Sequence, residues 1–195
     1  MSLRIIEGGK GGGKTVYATH LAYLAFRHGR NVFANYRLEF PYTPIDEDTF
    51  TTAAGRAKLI DCVIVVDEAH NYFGARDFMS ASNKSADKFQ RQIRKRKCDV
   101  VLTTQQAIAV DITFRRNLEI MNECFPYHKI QLEDGSIGLR KATLWEIEHK
   151  KVDSILIKET LYWAETSTQP APVKWIRFDP KPYFNMYDSD EFIDF

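Results

Sequence analysis

Apolar residues recur along the chain at two spacings, and the alternation between those spacings lays out the elements. Short apolar runs of strand length occur at 3–7, 31–36, 62–67 and 99–104, with a fifth at 126–131. Between them, apolar positions fall at helical spacing over 15–28, 85–97 and Asp111 to Met121. The first helix runs into Gly29, suited to a left-handed C-cap, and the second follows the capping cluster Ser82-Asn83-Lys84-Ser85. Phe40-Pro41-Tyr42-Thr43-Pro44 reads as a loop and 46–60 as weakly helical. Strands alternating with helices in this way predict an α/β fold, a parallel sheet covered on both faces.

Beyond residue 130 the texture changes. Gln131-Leu132-Glu133-Asp134-Gly135-Ser136 signals a hairpin, because Asp-Gly supplies the positive φ angles of a tight turn. Thr143 to Glu148 and Ile155 to Trp163 alternate apolar and polar residues, as antiparallel or edge strands do. Thr166 to Pro172 is polar and proline-bearing, hence an exposed loop, and the acidic tail Asp188 to Phe195 is expected to be mobile. The expected organisation is a core over 1–130 and a small β-rich extension over 131–195, a hairpin and tail packed on that core.

Composition narrows the setting. A chain of 195 residues with 44% hydrophobic residues suits one α/β domain able to bury its own core. Its 27 basic and 26 acidic residues leave a net charge of +1, so any nucleic-acid contact must come from local clustering. The longest apolar stretch, Cys62-Val63-Ile64-Val65-Val66, is a strand length, far below the ~20 residues that span a bilayer. No secretory leader pattern follows Met1. Cys62, Cys98 and Cys124 are an odd, widely spaced set, which suits buried reduced thiols in a cytoplasm better than disulfides or zinc.

The chemistry begins where the first strand meets the first helix. Gly8-Gly9-Lys10-Gly11-Gly12-Gly13-Lys14-Thr15 fits the phosphate-loop pattern G-x-x-x-x-G-K-[ST] without mismatch. A strand turning through glycines into a helix N-terminus aims several backbone N–H groups at one point, where the helix dipole is positive. Triphosphate oxygens fit there. Lys14 would reach the β- and γ-phosphates of ATP, and the Thr15 hydroxyl would join the Mg²⁺ shell. The strand at 62–67 ends in Asp67-Glu68, the Walker B pattern. Asp67 is expected to bind Mg²⁺ through water, and Glu68 to be the general base toward the attacking water. Asp67-Glu68-Ala69-His70 also spells a helicase box, but such helicases need two RecA-like domains; His70 is expected in a packing or helix-end role.

Asp99-Val100-Val101-Leu102-Thr103-Thr104-Gln105-Gln106 is a strand closing on amides, and an amide there can touch both the attacking water and the γ-phosphate. Before it lies a basic face, Lys84, Lys88, Arg91, Arg94, Lys95, Arg96 and Lys97 against Asp87. Such a face is a solvated helix surface, a contact for a phosphate backbone, or the source of an arginine reaching into a neighbouring subunit's site. Arg115 and Arg116 are a second candidate pair.

With these residues assembled, the chain resembles the zonular occludens toxin-like (Zot) family, which contains the filamentous-phage assembly ATPases and sits within the FtsK–HerA group of P-loop motors, alongside viral genome-packaging ATPases. The resemblance rests on the phosphate loop at 8–15, Val65-Val66-Asp67-Glu68-Ala69, and the aromatic-Gly-Ala-Arg stretch at 73–76. It extends through Arg94 to Asp99, Thr104-Gln105, Asp111 and Arg115 to Leu144-Trp145-Glu146 and Tyr187-Asp188-Ser189. It implies a RecA-like (ASCE) sheet of order 5-1-4-3-2, in the numbering of the five expected strands. It also implies Glu68 as catalytic base, Gln105 as sensor and Arg94 as trans-acting arginine, with Arg96 as the alternative.

The implied activity is Mg²⁺-dependent ATP hydrolysis by a homo-oligomeric ring that moves DNA, double-stranded by expectation, through basic loops during virion assembly. Two rivals stand beside it. One is the cytoplasmic ATPase domain of a membrane-bound extrusion protein, and the other is a nucleotide-binding switch or scaffold with little turnover. Two departures matter: the family's loops carry proline where this one has Lys10 or Gly11, and the phage assembly proteins continue into a transmembrane helix. The plain start at Met1 and the end without a linker favour a free-standing motor.

Overall fold

The computed structural model describes residues 2–73, 93, 95–143, 146, 149, 151–162 and 171–192. The helix expected over 85–97 therefore lies outside the described residues except for Ile93 and Lys95 to Lys97, which form turns.

Among the described residues, nine strands form one sheet in the order β10-β9-β7-β1-β6-β5-β2-β4, with β8 on β7. The strands are β1 (Leu3–Glu7), β2 (Asn31–Ala34), β4 (Thr43–Pro44), β5 (Cys62–Val66), β6 (Asp99–Thr104), β7 (Ile120–Gln131), β8 (Ile137–Lys141), β9 (Ser154–Leu161) and β10 (Val173–Phe178). β3 (Tyr36–Leu38) pairs separately with β11 (Tyr187–Phe192). The segment β7-β1-β6-β5-β2 is parallel and reproduces the expected order 5-1-4-3-2. Every residue of β5 is buried, as an unbroken apolar strand between two parallel neighbours must be.

In β1, Leu3 and Ile5 face one core with Ile64, Leu102 and Phe114, whereas Ile6 faces the other with Val16, Val65 and Ile155. The second core lies under α1 (Lys14–Arg27), which ends at Gly29 in the left-handed conformation, as expected. The three cysteines are free and buried, with Cys62 and Cys98 sulfurs 3.5 Å apart.

Several expectations are corrected. The strand expected at 126–131 begins at Ile120, and the helix expected to reach Met121 shrinks to α4 (Ile112–Arg116). The reason is pairing on both sides: residues 120–123 bind β1 in parallel and 120–127 bind β9 antiparallel, so sheet bonds claim the segment. The helical stretch at 46–60 breaks into α2 (Glu47–Thr51) and α3 (Ala53–Lys58), because Thr52 is extended and caps the second helix through Gly55 N–H. The loop at 40–44 ends in β4, bridged to β2. Of the strand expected at 143–148 only Thr143 and Glu146 are described; Glu146 is helical and exchanges bonds with Thr143 in a capping arrangement, and the rest lies outside the described residues. Much of the tail expected to be mobile is β11, tied by Tyr187 and Asp188 to Leu38 and Arg37. The strand expected over 31–36 stops at Ala34, and Asn35 separates it from β3. Among the described residues, no helix is long and apolar enough to cross a membrane.

The antiparallel wing is fastened to β1 by a polar triad. Arg4 donates to Asn122 (2.6 Å) and to Glu159 (2.8 Å), joining β1, β7 and β9, with both charged side chains largely covered. Replacing Arg4 alone with Met strands a covered carboxylate and is expected to destabilise by about 3 kcal/mol. The double change Arg4→Met with Glu159→Leu should recover most of that loss in urea unfolding.

Candidate active site

The registers Glu7↔Thr104 and Val66↔Leu102 bring the C-terminal ends of β1, β5 and β6 to one edge. The phosphate loop, the carboxylate pair and Gln105 all leave from that edge, where ligands of open parallel sheets bind. The Glu7 carboxylate accepts from Ala107 N–H at 2.6 Å and so anchors the turn after β6 to the strand that feeds the loop.

Within the loop, Gly12 N–H donates to Gly9 O at 2.9 Å, and a Cβ on Gly12 would stand 2.9 Å from that oxygen. Gly13 is left-handed, with φ 87°, and a Cβ there would come within 2.1 Å of Ile155 Cδ1. The loop is a cradle that side chains would fill, and it delivers the chain into α1 with first-turn N–H groups unclaimed by a side-chain cap. The residues therefore fit a triphosphate. Lys14, only 5% exposed, folds its ammonium to 3.1 Å from Gly9 O.

Thr15, the next residue, donates its hydroxyl to both carboxylate oxygens of Asp67, at 3.2 and 3.1 Å. Thr103 on β6 donates to the same carboxylate from the other side. Asp67 is 3% exposed, and burial raises its carboxyl above the ordinary carboxylate range, opposed by the Thr103 and Thr15 hydroxyls and the Lys14 charge. A covered carboxylate beside a hydroxyl fits a divalent cation, which would supply the charge that burial withholds.

Glu68 follows in the left-handed region (φ 47°, ψ 50°), a costly conformation for a residue with a Cβ. Its Oε2 lies 3.3 Å from His70 Nδ1, on the 3-10 turn Ala69–Asn71. His70 thus stands beside the Glu68 carboxylate on a short helical turn, where a packing or helix-end role was expected.

The remaining expected residues are less concentrated. Gln105 is exposed and lines a cavity of 610 Å³ with Gly8, Gly9, Lys10 and Gly12, which continues over Phe125 and Lys141. Arg115 donates to Val110 O at 3.0 Å, and Arg96 donates to Arg56 O at 2.6 Å, where it caps the end of α3. Arg94, Gly74 to Arg76 and the basic residues Lys84, Lys88 and Arg91 lie outside the described residues. Sequence reasoning passed over Asn35 and the hydroxyl role of Thr103. The available signal for the first was an amide interrupting the apolar run 31–36.

The sheet order and the glycine cradle define a P-loop NTPase fold, and the comparisons agree. The family model for zonular occludens toxin (Zot) matches residues 37–191, and the chain belongs to that family. The match includes Asp67 and Glu68 and begins after the phosphate loop. The chain is similar to the N-terminal domain of zonular occludens toxin from Neisseria meningitidis, at 18% identity and TM-score 0.61, covering 96% of this chain and 98% of that one. It is also similar to the genome packaging NTPase of Sulfolobus turreted icosahedral virus 2 in complex with ATP-gammaS. There the identity is 13% and the TM-score 0.56, over 89% of this chain and 96% of the other. No curated protein matches significantly.

Because the Asp67 carboxyl is raised in the folded chain, the unfolded chain holds fewer protons between the two values, and stability falls as pH rises through that window. Asp67→Asn should therefore raise the melting temperature of the nucleotide-free protein at pH 7. The gain should shrink as pH falls toward 4, measured by thermal unfolding across pH.

Proposed function

We propose that the chain is a Mg²⁺-dependent ATPase motor of the FtsK–HerA type, working as a homo-oligomeric ring that moves DNA during virion assembly. The observation that carries this reading is the convergence of Thr15 and Asp67 beneath the glycine cradle, with the Glu68 carboxylate one residue away. Lys14 and the loop N–H groups hold the triphosphate, and Thr15 and Asp67 hold the cation. When bound, that cation neutralises charge on the phosphate oxygens. Glu68 orients or deprotonates the attacking water, and Gln105 reads the γ-phosphate from the cavity wall. Phe125, exposed at the far side of that cavity, offers a face for the nucleobase.

A neighbour's arginine completes the site, with Arg94, Arg96 and Arg115 as candidates. Arg96 and Arg115 would each have to release a carbonyl of their own subunit to do so. The DNA grip is assigned to the basic residues from Arg76 to Lys88 and the run after them. The structural relative's genome packaging and its complex with an ATP analogue support the motor reading. Likeness to a Zot N-terminal domain supports a second one, the cytoplasmic ATPase domain of a membrane-bound assembly protein.

Lys14→Ala should abolish both tight ATP binding and turnover. Glu68→Gln should keep Mg·ATP binding while kcat falls about 10²–10⁴-fold, whereas a nucleotide switch would show no turnover to lose. ATPase rate with and without double-stranded DNA, read beside solution mass, checks the motor. Stimulation should weaken steeply with salt if phosphates are gripped.

A further inference from the structure

The pairing of β2 with β5 ends at Ala34↔Val65, two residues before Asp67, so strand bonds from β2 do not reach the carboxylate pair. A side chain takes over there. Asn35 is completely buried, with 0% exposure. Its Oδ1 accepts from Asp67 N–H at 2.7 Å, and its Nδ2 donates to Asp67 O at 2.9 Å. The Tyr72 hydroxyl, from the far end of the same turn, hydrogen-bonds the Asn35 amide as well. Thr103 grips from the opposite neighbour, accepting from Glu68 N–H at 3.0 Å while it donates to the Asp67 carboxylate. The peptide between the two carboxylates is thus clamped from both adjacent strands.

What the clamp holds is the left-handed Glu68, a backbone state that a residue with a Cβ leaves when its surroundings allow. That reversal tucks the Glu68 carboxylate beside His70, with Oε2 buried and making no hydrogen bond among the described residues. A residue needed only for the fold would spend its amide on the sheet ladder; Asn35 directs it to the one turn that carries both carboxylates.

We infer that Asn35 is a positioning residue for hydrolysis. It fixes the Asp67-Glu68 turn in the conformation that aims Glu68, while nucleotide binding is left to the phosphate loop. This rests on the ATPase reading above. Releasing the turn misplaces the base rather than removing it, and misplacement of a reacting group by about 1 Å lowers rates about 10²-fold.

The test uses the full chain carrying Asn35→Ala, Asn35→Asp or Tyr72→Phe. For each, kcat is normalised to sites counted with a non-hydrolysable ATP analogue, and the analogue Kd and the melting temperature are measured. Asn35→Ala is expected to lower kcat per site about 10–10²-fold with the analogue Kd changed less than about threefold, and Tyr72→Phe to lower it less. Asn35→Asp, similar in shape, keeps the acceptor for Asp67 N–H and loses the donor. Its kcat per site is expected to fall, as in Asn35→Ala, with the analogue Kd again changed little.

Unchanged kcat per site in Asn35→Ala and Asn35→Asp overturns the inference, and so does a loss of analogue binding in step with turnover, which would mark a collapsed site. A wild-type chain that binds the analogue yet hydrolyses nothing refutes the ATPase reading itself, and the inference with it.

Discussion

The burial of one carboxylate organises the nucleotide end of this molecule. Asp67 sits at the end of a strand that is apolar throughout, and leaving its charge there unaccompanied would be prohibitive. Three elements answer it: Thr15 from α1, Thr103 from β6 and, through the backbone, Asn35 after β2. Each partner is held by a different part of the fold, so satisfying Asp67 requires α1, strand β5 and its neighbours β2 and β6 to be correctly assembled. Even then burial prevails and the carboxyl is raised, which leaves the site electrostatically unfinished and receptive to a cation.

Parallel topology makes this arrangement available. Strand β6 enters between β1 and β5, so the loop after β1 and the carboxylates after β5 face each other across a single strand, whose own hydroxyl can reach between them. Side chains take over where the ladder ends. A site built this way is hydrogen-bonded at Asp67 and Glu68 yet open toward the exposed Gln105 and the cavity beyond it.

Much of this was legible in the residues. The glycine cradle, Lys14, Thr15 and the Asp67-Glu68 pair follow from residue patterns tied to phosphate and metal chemistry, whereas the strand order came only with the family resemblance those patterns carry. The boundaries were less legible where two signals overlapped. Asp111 to Met121 carries helical spacing, yet its last residues are drawn into β7 by partners more than thirty positions downstream, which a local window does not contain. The clamp made by Asn35 was invisible for a similar reason: its partner is Asp67, thirty-two positions away, and only the β2–β5 pairing brings them together. Local propensity finds the hairpin at Asp134-Gly135 because its cause lies within the turn, although Gly135 alone adopts a positive φ, 81°, and Asp134 does not.

The methyl of Ile155 rests directly beneath Gly13, so the antiparallel wing forms the floor of the phosphate cradle. A push or pull on β9 therefore arrives at the first turn of α1 without passing through any intermediary. Strand β9 and the loop near the beginning of the chain thus share a surface: the wing is in direct contact with the bed where a nucleotide's phosphates would lie.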